Sequence, residues 1–406
     1  MPTLPDHDDS VTVTCIETPQ LFADLAHEWD VLCDSIPTAP PFLSYDWMRA
    51  WWEVWGRLDR LLIIVVRDSC NRLIAIAPLY IATDPLMQLK TRVIRFLGHH
   101  SAGADYLCML VQPGWETQAV EAVVRELIVR RNSWDYIELD HIVLTYQIFA
   151  VLVSTFEARS YTITRTRRYV CPFAELPHNF EEYLRSRSPN VRYNFRRRLK
   201  ALQRDGRLAV TILQHAKDIR LRFGELGRLH AARFACQAKR TSFLAPKVQE
   251  FHRVSLTNES RTLNPRLFLL EARGVTVAAL YGYAKRDRFY FFQSGMDPQW
   301  SNRSVGLVLM GLVIEHAIKQ GHREYDFLRG EEAYKFQWAT GSRCTHTIRI
   351  YGNSLRARWA SAYFKWVEWV SCAKKVLRTA FTRKNAISGM TRRDLQREAT
   401  SGSDAT

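Results

Sequence analysis

The chain has 406 residues, 47% of them hydrophobic, which is enough for two domains with buried cores and excludes a disordered chain. Lys+Arg 57 against Asp+Glu 41 gives +16, an excess that suits acidic partners (a phosphorylated cofactor, an anionic membrane face, an anionic glycan or nucleic acid) without choosing among them. The eight cysteines are scattered with no CxxC pair, which argues against a disulfide framework or zinc site and for free thiols in a reducing compartment. Met1 to Ser10 is acidic and lacks an apolar signal core, and no apolar run approaches the ~20 residues of a membrane-spanning helix, so a cytoplasmic location is the expectation.

Val11 to Ile16 alternates as a first strand does, and Leu21 to Leu32 carries apolar residues at helical spacing. Trp47, Trp51, Trp52 and Trp55 also cluster at helical spacing, a pattern of core packing or of a stacking surface. Leu61 to Val66 and Leu73 to Ile81 flank Asp68-Ser69-Cys70-Asn71, a hairpin signal. Arg92 to Leu97 and Tyr106 to Val111 read as further strands, followed by an amphipathic helix from Trp115 to Arg131 and a strand from Asp135 to Leu139. The order hairpin, strand, helix, strand then recurs. Leu267 to Ala272 and Val275 to Ala284 pair across Arg273-Gly274, Phe289 to Ser294 follows, and a helix and strand close the set. This recurrence predicts an internal duplication.

Between the copies, Val191, Phe195, Leu199 and Leu202 make one stripe of a helix whose neighbouring face holds Arg192, Arg196 and Lys200. That face is either solvated or a clamp for phosphates or carboxylates of an acidic substrate. A second helix, Ile219 to Ala238, carries His230.

The later copy holds the strand–helix–strand unit around which the chemistry is read. Ser304 stands as N-cap of a helix that Gly321 ends, and Glu324 to Leu328 is the returning strand. Arg303, Ser304, Val305 and Gly306 sit where unpaired N–H groups and the positive dipole end gather. A pyrophosphate fits there, with Gly306 allowing close approach, and the same glycine serves packing in many such units. From Leu355 to Phe381 a final helix carries Trp359, Tyr363, Trp366 and Val370 in one stripe with Arg358 and Lys365 elsewhere, suited to an anionic bilayer or to docking on the domain. Asn385 to Thr406 is polar, and no HExxH, GxSxG, Walker or EF-hand pattern occurs.

The pieces Ser304-Val305-Gly306, Asp326-Phe327-Leu328-Arg329-Gly330 and Tyr334-Lys335 resemble the C-terminal part of the CelD/BcsL-type acyltransferase family, within the GNAT (N-acetyltransferase) superfamily and related to Fem-type peptidyltransferases. In the Gln/Arg-x-x-Gly-x-Gly/Ala loop of GNAT enzymes Arg303 and Gly306 match, Val308 replaces a small residue, and Val305 replaces the proline of the CelD type. The resemblance implies an α+β fold of tandem GNAT-like domains, each a mixed, mostly antiparallel sheet flanked by helices. The resulting division is a disordered segment 1–10, a degenerate copy 11–165, a catalytic copy 166–352 with the basic helices, an amphipathic helix 353–382 and a disordered tail 383–406.

It also implies transfer of an acyl group from acetyl-CoA or another acyl-CoA to an amine or hydroxyl, without metal. The diphosphate would lie on Arg303 to Gly306 of the later copy alone, and the thioester beside Ser294. Tyr334 is the candidate acid, Asp326 or Glu331 the candidate base, and Lys335 either holds an anionic acceptor or balances Asp326. Arg192, Arg196 and His230 fall in the segment that implies an acceptor site, for a small molecule or a glycan precursor of the cell envelope. Two other readings stay open: an aminoacyl-tRNA-dependent transferase, the only one that calls for nucleic acid, and a non-catalytic adaptor held at the membrane by the last helix.

Overall fold

The computed structural model describes residues 10–87, 89–99, 102–204, 206, 208–236, 241–257, 260, 262–370 and 373–374. The N-terminal half contributes strands β1 (Thr12–Ile16), β2 (Arg60–Arg67), β3 (Leu73–Leu86), β4 (Leu89–Phe96), β5 (Leu110–Val111), β6 (Tyr136–Ile142) and β7 (Thr162–Glu175). Its helices are α1 (Pro19–Asp24), α2 (Ala26–Ser35), α3 (Tyr45–Trp55), α4 (Glu116–Val129) and α5 (Gln147–Glu157). The connecting helices are α6 (Phe180–Arg185) and α7 (Pro189–Arg204). The C-terminal half contributes β8 (Leu208–Leu213), α8 (Ala216–Cys236), α9 (Pro246–Ser255), β9 (Pro265–Ala272), β10 (Val275–Lys285), β11 (Arg288–Met296), α10 (Val305–Lys319), β12 (Glu324–Asp326), α11 (Ala333–Trp338) and β13 (Gly341–Tyr351). A last helix, α12, runs over residues 355–370.

The expected duplication is present. Strand, helices, meander of three strands, helix, strand, helix, strand describes each half. All thirteen strands join one sheet in the order β1-β2-β3-β4-β6-β13-β7-β12-β11-β10-β9-β8, with β5 against β3. The two closing strands are exchanged. β13 pairs antiparallel with β6 and β7, and the far end of β7 pairs with β12, so each half completes the other's sheet. The junction read between residues 165 and 166 therefore falls inside β7, a strand that serves both halves.

One apolar core fills the N-terminal half and continues onto the α8 and α9 face of the other. A second lies between the sheet and α6, α7 and α10. Trp47 and Trp51 belong to the first core at 0% and 2% exposure, so the tryptophan cluster packs inward. The segment read as a strand from Tyr106 differs: Tyr106 has φ 63 and only Leu110–Val111 pairs with β3. The last helix seats Ala357, Ala360 and Phe364 against the sheet, not the stripe of Trp359 and Trp366; Arg349 lies 4.0 Å over the Phe364 ring. Residues 375–406 and 1–9, on which the tail and N-terminal expectations fall, lie outside the described residues. No helix among the described residues is long and apolar enough to cross a membrane.

Candidate active site

The site lies where β11 and β12 separate. They pair in parallel only at Arg288↔Glu324, Phe289↔Tyr325 and Tyr290↔Asp326. Beyond that, the Asp326 carboxylate accepts the Leu328 N–H at 2.7 Å, Leu328 takes φ 54, and Gly330 at φ 126 turns the chain into α11. On β11, Phe292 has no register partner on β10, so it stands in neither ladder at the point of separation.

Two cavities open at this wedge. The first, about 170 Å³, is mainly apolar and runs from Gly306 and Leu307 of α10 past Ser294 and Met310 to Tyr334. The second, about 230 Å³, is polar and lined by Asp105, Gln293, Arg329, Glu332 and Lys335, again with Tyr334. Tyr334 therefore stands between them. Burial first, then the Glu332 carboxylate, pushes its hydroxyl up to about 12. It stays protonated at neutral pH and can donate. The Arg233 guanidinium lies 5.4 Å over its ring.

At the open end of the first cavity, Ser304 takes φ 55 and its side chain caps no N–H of α10, contrary to the N-cap expectation; the first turn carries no acidic residue. Its counterpart in the N-terminal half, α4, has Glu116 in its first turn with the carboxylate on the Gly114 N–H. Of these two counterparts, α10 alone presents an N-terminus with no acidic residue in its first turn. Arg303 stacks over Trp300 at 5.4 Å, and Arg198 of α7 donates to the Asn302 carbonyl at 2.5 Å. A Cβ on Gly306 would meet only the Met296 sulfur, at 3.3 Å. Val308 points into the core at 0% exposure, so its bulk lies away from this end.

The remaining residues singled out from sequence fall into place differently. Asp326 is wholly buried and lines neither cavity. Its carboxylate accepts from the Tyr106 hydroxyl at 3.0 Å and has Arg343 at 3.8 Å, and burial pushes it up to about 6. Lys335 does not balance it; its ammonium donates to the Arg329 carbonyl at 2.6 Å and pairs with Glu332 at 3.1 Å. Glu331 is exposed and lines neither cavity. Ser294 lines the first; its hydroxyl accepts from Arg233 at 3.2 Å and its N–H donates to Gln293 Oε1 at 3.1 Å. His230 Nδ1 bonds the Ser294 carbonyl at 2.9 Å and Nε2 bonds the Thr241 hydroxyl at 2.8 Å. With both nitrogens engaged and burial lowering its pKa, this ring fixes β11 against α8. Arg192 donates to the Arg185 carbonyl at 2.7 Å and Arg196 pairs with Glu181; both lie on α7, outside the two cavities. Asp105, Gln293 and Glu332 carry no mark in the sequence, and Arg329 stands there only within the Asp326 to Gly330 run. Asp105 comes from the N-terminal half, and nothing local in sequence marks it.

Residues 189–336 match the acetyltransferase (GNAT) domain family. No curated protein matches the chain by sequence. Among solved structures it is similar to FemX, with a TM-score of 0.55 at 11% identity over 80% of this chain and 95% of that one. It is also similar to the C-terminal domain of a protein assigned as a lysylphosphatidylglycerol synthetase from Agrobacterium fabrum, with a TM-score of 0.52 at 9% identity over 86% and 96%. A conserved protein from Bacteroides thetaiotaomicron follows, with a TM-score of 0.51 at 10% identity over 84% and 100%. The chain therefore has a tandem GNAT-like fold, and the stretch that matches the GNAT domain family lies in its C-terminal half.

Proposed function

We propose that this chain transfers an acyl group from an acyl-CoA held in the first cavity to an acceptor amine or hydroxyl held in the second. The observation that supports it is the continuous cavity from the uncapped start of α10 to Tyr334, meeting a separate polar cavity at that residue. The amides of Val305 and Gly306, with Arg303 nearby, suit a diphosphate, and Leu307 and Met310 suit the thin chain behind it. The thioester supplies the activated acyl carbon. Tyr334 donates its proton to the departing thiolate and takes back the one that the attacking N–H or O–H releases, so the transfer balances. The Phe292 amide, outside both ladders, is the oxyanion donor. Asp326, sealed beneath the wedge, sets the Leu328 turn and acts as a positioning residue. Placement within the CelD/BcsL type belongs to this proposal.

Thermal melting of the full chain tests it. CoA and acetyl-CoA should raise the melting temperature by binding the native state, and Gly306→Glu should abolish that rise. No shift with any acyl-CoA of any chain length refutes the reading.

A second reading is supported by α7, where Arg196, Arg197 and Lys200 are exposed on a helix that also reaches Asn302 beside the α10 start. Transfer from an aminoacyl-tRNA would use that face, and tRNA affinity should then fall steeply with salt. Peripheral membrane contact is supported by α12, whose Trp366 and Trp369 are 54% and 69% exposed.

A further inference from the structure

One of the four charged residues that line the second cavity, Asp105, comes from the opposite half of the chain. Asp105 lies in the segment between β4 and β5, is 0% exposed, and reaches across to accept the Arg329 main-chain N–H on Oδ2 at 2.9 Å. Its other oxygen, Oδ1, has no hydrogen-bond partner among the described residues. The nearest cationic or ring nitrogens, His141 Nδ1 at 3.5 Å and Arg329 Nη1 at 3.7 Å, stand beyond hydrogen-bond length. A buried carboxylate oxygen is almost always given a donor, and leaving one without it is unfavourable.

The same wall holds unused donors. Arg329 spends Nη1 on the His141 ring at 2.7 Å, and its Nη2 makes no hydrogen bond among the described residues. Lys335 commits its ammonium to the Arg329 carbonyl and Glu332, two partners for three N–H groups. One acceptor lacking a donor thus lies beside two cations with donors to spare. The Asp105 Oδ1 and the Arg329 guanidinium are 3.7 Å apart, close enough for one small ligand to touch both. At about 230 Å³ the cavity has room for a small molecule or for one end of a larger one.

We propose that the acceptor is a zwitterionic α-amino acid, its amine donating to Asp105 Oδ1 and its carboxylate accepting from Arg329 and Lys335. This rests on the assignment of the second cavity to the acceptor. It makes the N-terminal half a contributor to the site and not only a support. Tyr334, on the wall shared with the donor cavity, then lies beside the amine.

Calorimetry on the full chain, with and without CoA, tests this against the protein L-amino acids, with ethylamine and propionate as half-ligands. At least one amino acid should bind while both half-ligands fail. Asp105→Asn, close in shape, should weaken that amino acid by about tenfold or more. Arg329→Gln should do the same, and circular dichroism and a retained CoA shift should show both variants folded. Should either variant fail to fold, the wild-type contrast between the amino acid and its half-ligands decides alone. Absence of binding by every amino acid, equal binding of ethylamine, or undiminished affinity in folded Asp105→Asn overturns the proposal. If CoA still shifts melting while amino acids are silent, the acceptor assignment fails and the acyltransferase reading stands. If amino acids bind and no acyl-CoA does, the acyltransferase reading fails instead.

Discussion

Tyr106, from the N-terminal half, donates its hydroxyl at 3.0 Å to Asp326 at the end of β12 in the other half, and both are buried. The bond ties the segment bearing Asp105 to the turn bearing Arg329, so it sets the width of the second cavity. Tyr106→Phe leaves a buried carboxylate oxygen with one donor fewer and should cost about 1–3 kcal/mol of stability. Denaturant unfolding checks this, and an unchanged midpoint contradicts it.

Asp326 also gives the fold a pH signature. Burial raises its carboxyl from 3.8 to about 6, so between those values the folded chain binds a proton that the unfolded chain has released. The sign follows: the stability from this group is full below the unfolded pKa and is lost as pH rises through about 6. Asp326→Asn should therefore flatten the decline, and the wild-type stability minus that of the variant should fall between about pH 4 and pH 6. Equilibrium unfolding at several pH values reads it; a difference that rises over this window is the wrong sign.

Tyr334→Phe removes the proton donor and keeps the ring under Arg233. The expected outcome is a fall in kcat of about a hundredfold or more with the CoA melting shift retained. An equal fall in the shift assigns Tyr334 to binding alone.

Gly311 of α10 faces the Phe195 ring of α7, and a Cβ there would stand 2.2 Å from it. Gly311→Ala should destabilise by about 1–3 kcal/mol through overpacking, and adding Phe195→Leu should recover part of the loss. Thermal melts of the two single variants and the double variant measure the coupling.

The exposed indoles of Trp366 and Trp369 sit on a helix with Arg356, Arg358 and Lys365 also exposed. Sedimentation with phosphatidylglycerol vesicles should show binding that weakens with salt, and replacing both tryptophans by alanine should abolish it. Equal binding by the double variant assigns the aromatics to another contact.

Elements with a strong local period are legible in the sequence. β9, β10, β11 and α10 fall close to where alternation and the helical stripe put them, because their burial is set by their own faces. β7 and β13 are not. Thr162–Glu175 and Gly341–Tyr351 are rich in Thr and Arg, and what buries them is pairing with strands far off in the chain. The site divided the same way. Gly306 and Tyr334 carried local signals and line the cavities. Asp326 stood in a recognisable run but lies sealed, and Asp105 had no signal because its partner Arg329 is 224 positions away. Arg192 and Arg196 looked like a clamp because charge on a helix face does not say which way that face turns.

The exchange of β7 and β13 constrains how the chain is made. While synthesis proceeds from the N-terminus, β6 has no neighbour on one side until residue 351 has left the ribosome. Domains usually fold as units during translation, the earlier one first. Here the earlier half must wait with an open edge, exposed to capture by other strands, and a nascent chain truncated before Gly341 should need chaperone protection that the finished chain does not.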